Sequence, residues 1–193
     1  ETKKVAKMFP CPHCGSELTK KALDKYFVSR FDPVLNQTVK SRKRVPVLIN
    51  YSVGANDYEK PPSEQDLDVF SRIEHIPLPP EVPTGALPYM HMTHERARME
   101  GVGITHLHHF FLPRAAQALG LLWRKACEEP DARLRNALLY FAEQAIWGMS
   151  VLARYAPTHF SQVNQQMTGV YYVGSQIAEC SPFYILEGKR ERL

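Results

Sequence analysis

No second Cys-x-x-Cys and no His-x-x-x-His spacing occurs anywhere in the 193 residues. The lack is informative because one Cys-x-x-Cys-Gly turn is present, in FPCPHCGSELTK at residues 9 to 20. A structural zinc takes four ligands, commonly from two such knuckles. Cys11 and Cys14 are spaced to aim both thiolates at one ion, and Gly15 removes a Cβ where the backbone folds back toward them. Together they make half of a tetrahedral site. Also missing is any apolar run near the roughly 20 residues needed to cross a bilayer. The lysine-rich start has no apolar segment behind it to act as a signal peptide. These absences make the cytoplasm the expected compartment, without membrane attachment. Cysteine is scarce: the chain has 4, with Cys127 and Cys180 isolated. That excludes the dense disulfide framework of a small secreted domain, and reduced thiols are expected.

What is present suits an ordinary globular chain. With 44% hydrophobic residues, 193 residues can bury a core and form one domain or two small ones. The net charge of +4 is unevenly spread. Residues 1 to 44 hold eleven basic residues against four acidic ones, a net of +7, and the remainder is slightly acidic. Lys20, Lys21, Lys40, Arg42, Lys43 and Arg44 therefore form a candidate DNA-binding strip beside the knuckle, because each neutralised phosphate releases a counterion. A solvated lysine-rich face is the alternative reading of the same run.

Three textures follow one another. Residues 1–60 read as β. Val45, Val47, Ile49, Tyr51 and Val53 alternate with Pro46, Leu48, Asn50 and Ser52, and Tyr26, Val28 and Arg30 precede a turn at Asp32-Pro33. Pro46 argues for an edge position. Residues 61–111 form a connection punctuated by seven prolines, with one short helix from Ser63 as N-cap through Ile73. Residues 112–193 are helical. Pro113 opens a helix over 112–129 with Ala116, Leu119, Leu122, Trp123 and Ala126 on one face. Asp131 caps a second, over 131–156, carrying Leu134, Leu138, Phe141, Ala145, Met149 and Leu152. A short link at Pro130 makes the two an antiparallel hairpin. A short strand is expected at 169–173 and a basic helical turn around Lys189, Arg190 and Arg192.

Three constellations invite a chemical reading. His106, His108 and His109 fall within four residues, after His91 and His94, and imidazoles at that density can bind a transition metal. No carboxylate lies among them, so structural or substrate-contacting roles are expected first. Gly101 and Gly103 have a Gly-x-Gly spacing, but they follow HERARMEG, which is charged and helical in character rather than a buried strand. SPFY at 181–184 approaches the Asp/Asn/Ser-Pro-Pro-aromatic turn with which amino-methyltransferases hold a target amine. Phe183 stands where the second proline belongs, so a buried aromatic turn is expected instead.

Taken in order, FPCPHCGSELTK, RVPVLINYS, GVGITHLHHFFLPRAAQALGLLW and FSQVNQQMTGVYYVGSQIAECSPFYILEGK resemble the middle part of the large zinc-ribbon-containing adenine-specific DNA methylases of bacteria and archaea. The likeness spans nearly the whole chain. It implies that an S-adenosylmethionine-binding aromatic-x-Gly-x-Gly turn and further cysteine pairs lie upstream, and that the catalytic Asp-Pro-Pro-aromatic turn lies downstream. Cys11 and Cys14 then look like the last knuckle of a ribbon, a zinc half-site whose partner cysteines belong elsewhere. Neither catalytic turn is in this sequence, so no catalytic or cofactor-binding residue is assigned. S-adenosylmethionine is expected for the parent enzyme and not for this chain.

The resulting expectation is an α+β fold, a small β subdomain with a zinc-knuckle turn followed by a helical subdomain built on an antiparallel helix hairpin. Its expected role is that of an internal, non-catalytic domain of a DNA methyltransferase, with DNA and the parent's remaining domains as partners. The alternatives are a zinc-ribbon nucleic-acid-binding adaptor and a metal-dependent enzyme using the His106/His108/His109 cluster.

Overall fold

The computed structural model describes residues 7–96, 98–162 and 172–191. It is α+β, with antiparallel strands first and helices after them. The six strands form three separate two-stranded ribbons rather than one sheet. β1 (Met8–Pro10) and β2 (Glu17–Thr19) flank the knuckle. β3 (Phe27–Asp32) pairs with β4 (Gln37–Arg42), with Phe27 opposite Arg42 and Asp32 opposite Gln37. The predicted turn at Asp32-Pro33 is present, and Asp32 builds it. Its Oδ1 accepts the N–H groups of Val34 (2.9 Å) and Leu35 (3.2 Å), the Asx geometry that makes Asp a turn residue. β5 (Ile49–Val53) and β6 (Asn56–Lys60) meet at a two-residue turn opened by Gly54 at φ +61°, where an L side chain is disfavoured.

The alternation from Val45 predicts a longer strand than is found. Residues 45–48 pair with nothing regular, and Val45 and Val47 face solvent. Pro46 has no N–H to give a ladder, so pairing begins only at Ile49.

α1 (Glu64–Glu74) starts as its sequence dictates. Ser63 Oγ accepts the Asp66 N–H, and an Asp66 carboxylate oxygen accepts the Ser63 N–H at 2.8 Å, a reciprocal capping box. Lys60 adds an ion pair to the same carboxylate at 2.8 Å. α2 (Pro113–Cys127) has proline at its first position, and α3 (Ala132–Glu143) is capped by Asp131, whose side chain accepts the Leu134 N–H at 2.8 Å. The short link between them folds α3 back onto α2. Trp123, expected on the buried face of α2, is exposed, and the face is formed by the small residues Ala115, Ala116, Gly120 and Ala126. Gly120 matters for approach, since a Cβ there would lie 2.5 Å from Pro79 Cβ.

The helix predicted over 131–156 stops at Glu143 and resumes only as α4 (Ile146–Met149). Other segments claim the backbone that would have continued it. The Val151 N–H donates to Phe110 O (2.8 Å), the Cys180 N–H to Gly148 O (3.0 Å), and the Ala178 N–H to Ala153 O (3.0 Å). Non-local pairing therefore outweighs helix propensity here. α5 (Pro182–Arg190) closes the described chain. It is longer than the basic turn expected near its end, and Arg192 lies outside the described residues. So do residues 169–171 of the strand predicted at 169–173; Tyr172 and Val173 have no strand pairing.

Two apolar clusters make the core. One joins Ala115, Ala145 and Met149 to Cys180, Ile185 and Leu186. The other surrounds Met99, which is 0% exposed, with Ile104, Phe110, Val151 and Val173. No helix among the described residues is long and apolar enough to cross a membrane.

Candidate functional site

At the knuckle, the Cys11 N–H donates to Ser16 O (2.8 Å) and the Gly15 N–H to Cys11 O (2.9 Å), with Gly15 at φ +73°. The backbone thus takes the turn that the sequence implies. Cys14 Sγ is exposed and lies 3.3 Å from Ser16 Oγ. Hydrogen bonding from Ser16, first through its hydroxyl and then its backbone, lowers the Cys14 thiol from its ordinary value, with a smaller effect of Cys11. Both sulfurs suit a thiophilic ion. Among the described residues, however, no third His, Cys, Asp or Glu joins them in a ligand group, so the fit is to half a coordination sphere.

The basic strip divides in two. Lys40 and Lys43 are exposed, and each ammonium stands over an aromatic ring, Lys40 over Phe27 at 5.3 Å and Lys43 over Tyr26 at 5.5 Å from the centroid. None of the ion pairs among the described residues involves either lysine. Arg42 and Arg44 are committed elsewhere. Arg42 donates to Val173 O (3.4 Å), and Arg44 to Gly174 O (3.3 Å) and Ser175 O (3.4 Å). Burial pulls both guanidinium groups below their usual values. They fasten β4 to the segment after residue 172 instead of facing outward with the lysines. Lys20 and Lys21 stand in a 3-10 turn at Lys20–Ala22, just beyond β2.

The histidines separate as well. His91 pairs with Glu95 at 2.5 Å. His94 stacks on Tyr89 with ring centroids 4.5 Å apart and reaches Glu100 at 3.3 Å. His106, His108 and His109 do converge, and the carboxylate that the local sequence lacks arrives from the far end of β3. Asp32 Oδ2 accepts from His108 Nε2 and His109 Nε2, both at 2.9 Å. A 3-10 turn over Leu107–Phe110 points the two adjacent imidazoles at this one oxygen. Asp32 and His108 are buried and His109 nearly so. The Thr105 N–H donates to His109 Nδ1 (3.2 Å). Because a backbone N–H is only a donor, His109 carries its proton on Nε2, directed at Asp32.

Burial alone would raise the Asp32 carboxyl. The hydrogen bonds from His108, His109 and the Leu35 N–H outweigh it and hold the group at about 2. Desolvation lowers His109 despite its bond to Asp32, so the ring stays neutral near pH 7 beside an ionised carboxylate. Sequence reasoning takes Asp32 for a turn former, which it is. Its second role is visible only in the buried histidines' need for an acceptor, which names no residue.

The two remaining motifs have structural explanations. Gly103, at φ +82°, is where the chain crosses β4, and a Cβ there would come within 2.6 Å of Lys40 O and Ser41 Cα. Close backbone approach, not a ligand, requires this glycine. SPFY is not the buried turn expected. Pro182 is the first residue of α5, which turns Phe183 outward, 76% exposed, and leaves Tyr184 exposed too.

Comparison with protein-family models, with curated proteins and with solved structures finds no match to the chain.

Proposed function

We propose that this chain is a non-catalytic domain that positions DNA, of the kind found inside the zinc-ribbon-containing adenine-specific DNA methylases, and that it acts in the cytoplasm. The β3–β4 ribbon is the phosphate-contacting element. The carrying observation is the pair of exposed lysines, Lys40 and Lys43, each set over a ring of β3 or its leading residue and free of ion pairing among the described residues. An ammonium held over an aromatic face keeps its charge available to a phosphate while its stem is ordered. S-adenosylmethionine binding and methyl transfer belong, on this reading, to other parts of the parent enzyme.

Arg42 and Arg44, occupied by backbone carbonyls, support the ribbon's placement and lie outside the proposed contact set. Binding of a duplex should then be weak, insensitive to sequence and steeply salt-dependent. Changing Lys40 and Lys43 together to Ala should flatten the plot of log K against log salt by about 2 units, at roughly 0.9 per phosphate contact. Fluorescence anisotropy with a labelled duplex across a salt series measures this. An unchanged slope, or no binding by the parent chain at low salt, removes the ribbon as a DNA surface.

A further inference from the structure

Asp32, His108 and His109 offer one ligand atom each, all within 4.8 Å of one another. Two of the three ligand separations, from Oδ2 to each Nε2, are 2.9 Å. An ion with bonds of about 2.1 Å to cis ligands at right angles needs an edge of about 3.0 Å. Two of the three edges are thus already those of neighbouring ligands in a five- or six-coordinate site. Asp32 is held in orientation by two backbone N–H groups on its other oxygen. Two imidazoles and one carboxylate suit a first-row transition ion, whereas Mg²⁺ and Ca²⁺ prefer all-oxygen sets.

We propose that Asp32 Oδ2, His108 Nε2 and His109 Nε2 bind a divalent transition ion, which clamps the β3–β4 ribbon to the helical core. Each imidazole must then present a lone pair at Nε2. The proton moves to Nδ1 of the same ring, so a neutral ring neither gains nor loses one. For His109 the acceptor of that proton is at hand, since Thr105 Oγ1 lies 3.3 Å from Nδ1. In the arrangement described above the Thr105 N–H occupies the Nδ1 lone pair, so Thr105 is the positioning residue that selects between the two tautomers. His106 flanks the group, with ring centroids 5.5 Å from His109 and 5.8 Å from His108. Its Nδ1 is engaged by Thr105 Oγ1 at 2.9 Å, and it is not counted as a ligand. The site needs no part of the proposed DNA function and stands independently of it.

The test uses the full chain carrying Cys11→Ser and Cys14→Ser, which removes the thiolate pair as a competitor. The chelator-treated protein is titrated with Co²⁺, followed by visible absorption, and with Zn²⁺ by equilibrium dialysis. The expected result is one ion per chain with a nitrogen- and oxygen-ligated cobalt spectrum, an ion-dependent slowing of amide exchange in β3 and β4, and loss of binding in His108→Ala. Thr105→Val keeps the backbone N–H and the side-chain shape but lacks the Oγ1 acceptor. It should weaken binding by about 10- to 100-fold, the usual effect of losing a partner behind a ligating histidine, and it decides the matter if His108→Ala does not fold. Binding seen only when both cysteines are present overturns the proposal, as does binding that both substitutions leave unchanged or no ion retained at all.

Discussion

The ribbons of residues 7–60 and the region from Pro79 to Leu186 solve the same problem by different means. Every buried apolar side chain among the described residues lies in the second region. In the first, the one buried residue among those whose burial is described is a carboxylate, Asp32, while Phe31, Val47 and Val53 are exposed. Isolated two-stranded ribbons are marginal in water. The second and third are held by polar attachments: Asp32 to two histidines, Arg42 and Arg44 to carbonyls, Asn50 Nδ2 to Phe160 O (3.0 Å), and Arg30 to Glu74 (3.2 Å). Apolar burial is proportional to area and tolerant of detail, whereas each such bond contributes only about 0.5–3 kcal/mol net, the charged ones most, and depends on geometry. The ribbons are therefore specifically placed yet cheaply released, which is the stability class from which binding elements are drawn.

The largest effect that would sharpen this contrast is in the core. Met99→Ala removes the largest fully buried side chain and should cost about 2–5 kcal/mol, read as a fall in the urea midpoint for the whole chain. An unchanged midpoint would mean that the core is not where stability resides.

A smaller and more local effect is expected at the clasp. Asp32→Asn in chelator-treated protein keeps the shape but removes the charge, and its amide N–H₂ competes with two imidazole N–H donors for acceptors. A loss of about 1.5–3 kcal/mol should appear as faster amide exchange in β3 and β4, with α2 and α3 almost unaffected. Equal acceleration in both places would show that the ribbon and core unfold as one unit, erasing the distinction.

The smallest effect belongs to the exposed apolar residues of the ribbons. Val53→Ser should change stability by no more than about 0.5 kcal/mol in a thermal melt. A cost of several times that would reveal an apolar surface buried by self-association, and the comparison would need a second copy of the chain.

How legible each part was follows from the range of the interactions that build it. Ser63, Pro113 and Asp131 mark helix starts because capping is decided within four residues, and the Asp32-Pro33 turn is equally local. The early end of α3 is not local, because it depends on what Phe110 and Cys180 offer to Val151 and Gly148. The alternation at 45–53 overstated its strand because period alone does not supply the N–H that Pro46 lacks. Of the candidate site, the sequence showed the histidines and the lysines as residues. Which arginines face solvent, and which carboxylate meets the histidines, rest on contacts between segments far apart in the chain.

That distance gives the clasp a place in time. His108 follows Asp32 by 76 positions, so a ribosome adding about 5–20 residues per second completes the donor pair roughly 4–15 s after the carboxylate is made. Throughout that interval the strand segments have open edges and apolar residues such as Phe31 and Val47, with no core yet to dock on. The net charge of +7 over residues 1–44 then guards the growing chain. Lysines and arginines along strands such as β4 discourage edge-to-edge association until the turn at Leu107–Phe110 forms and draws the ribbon in.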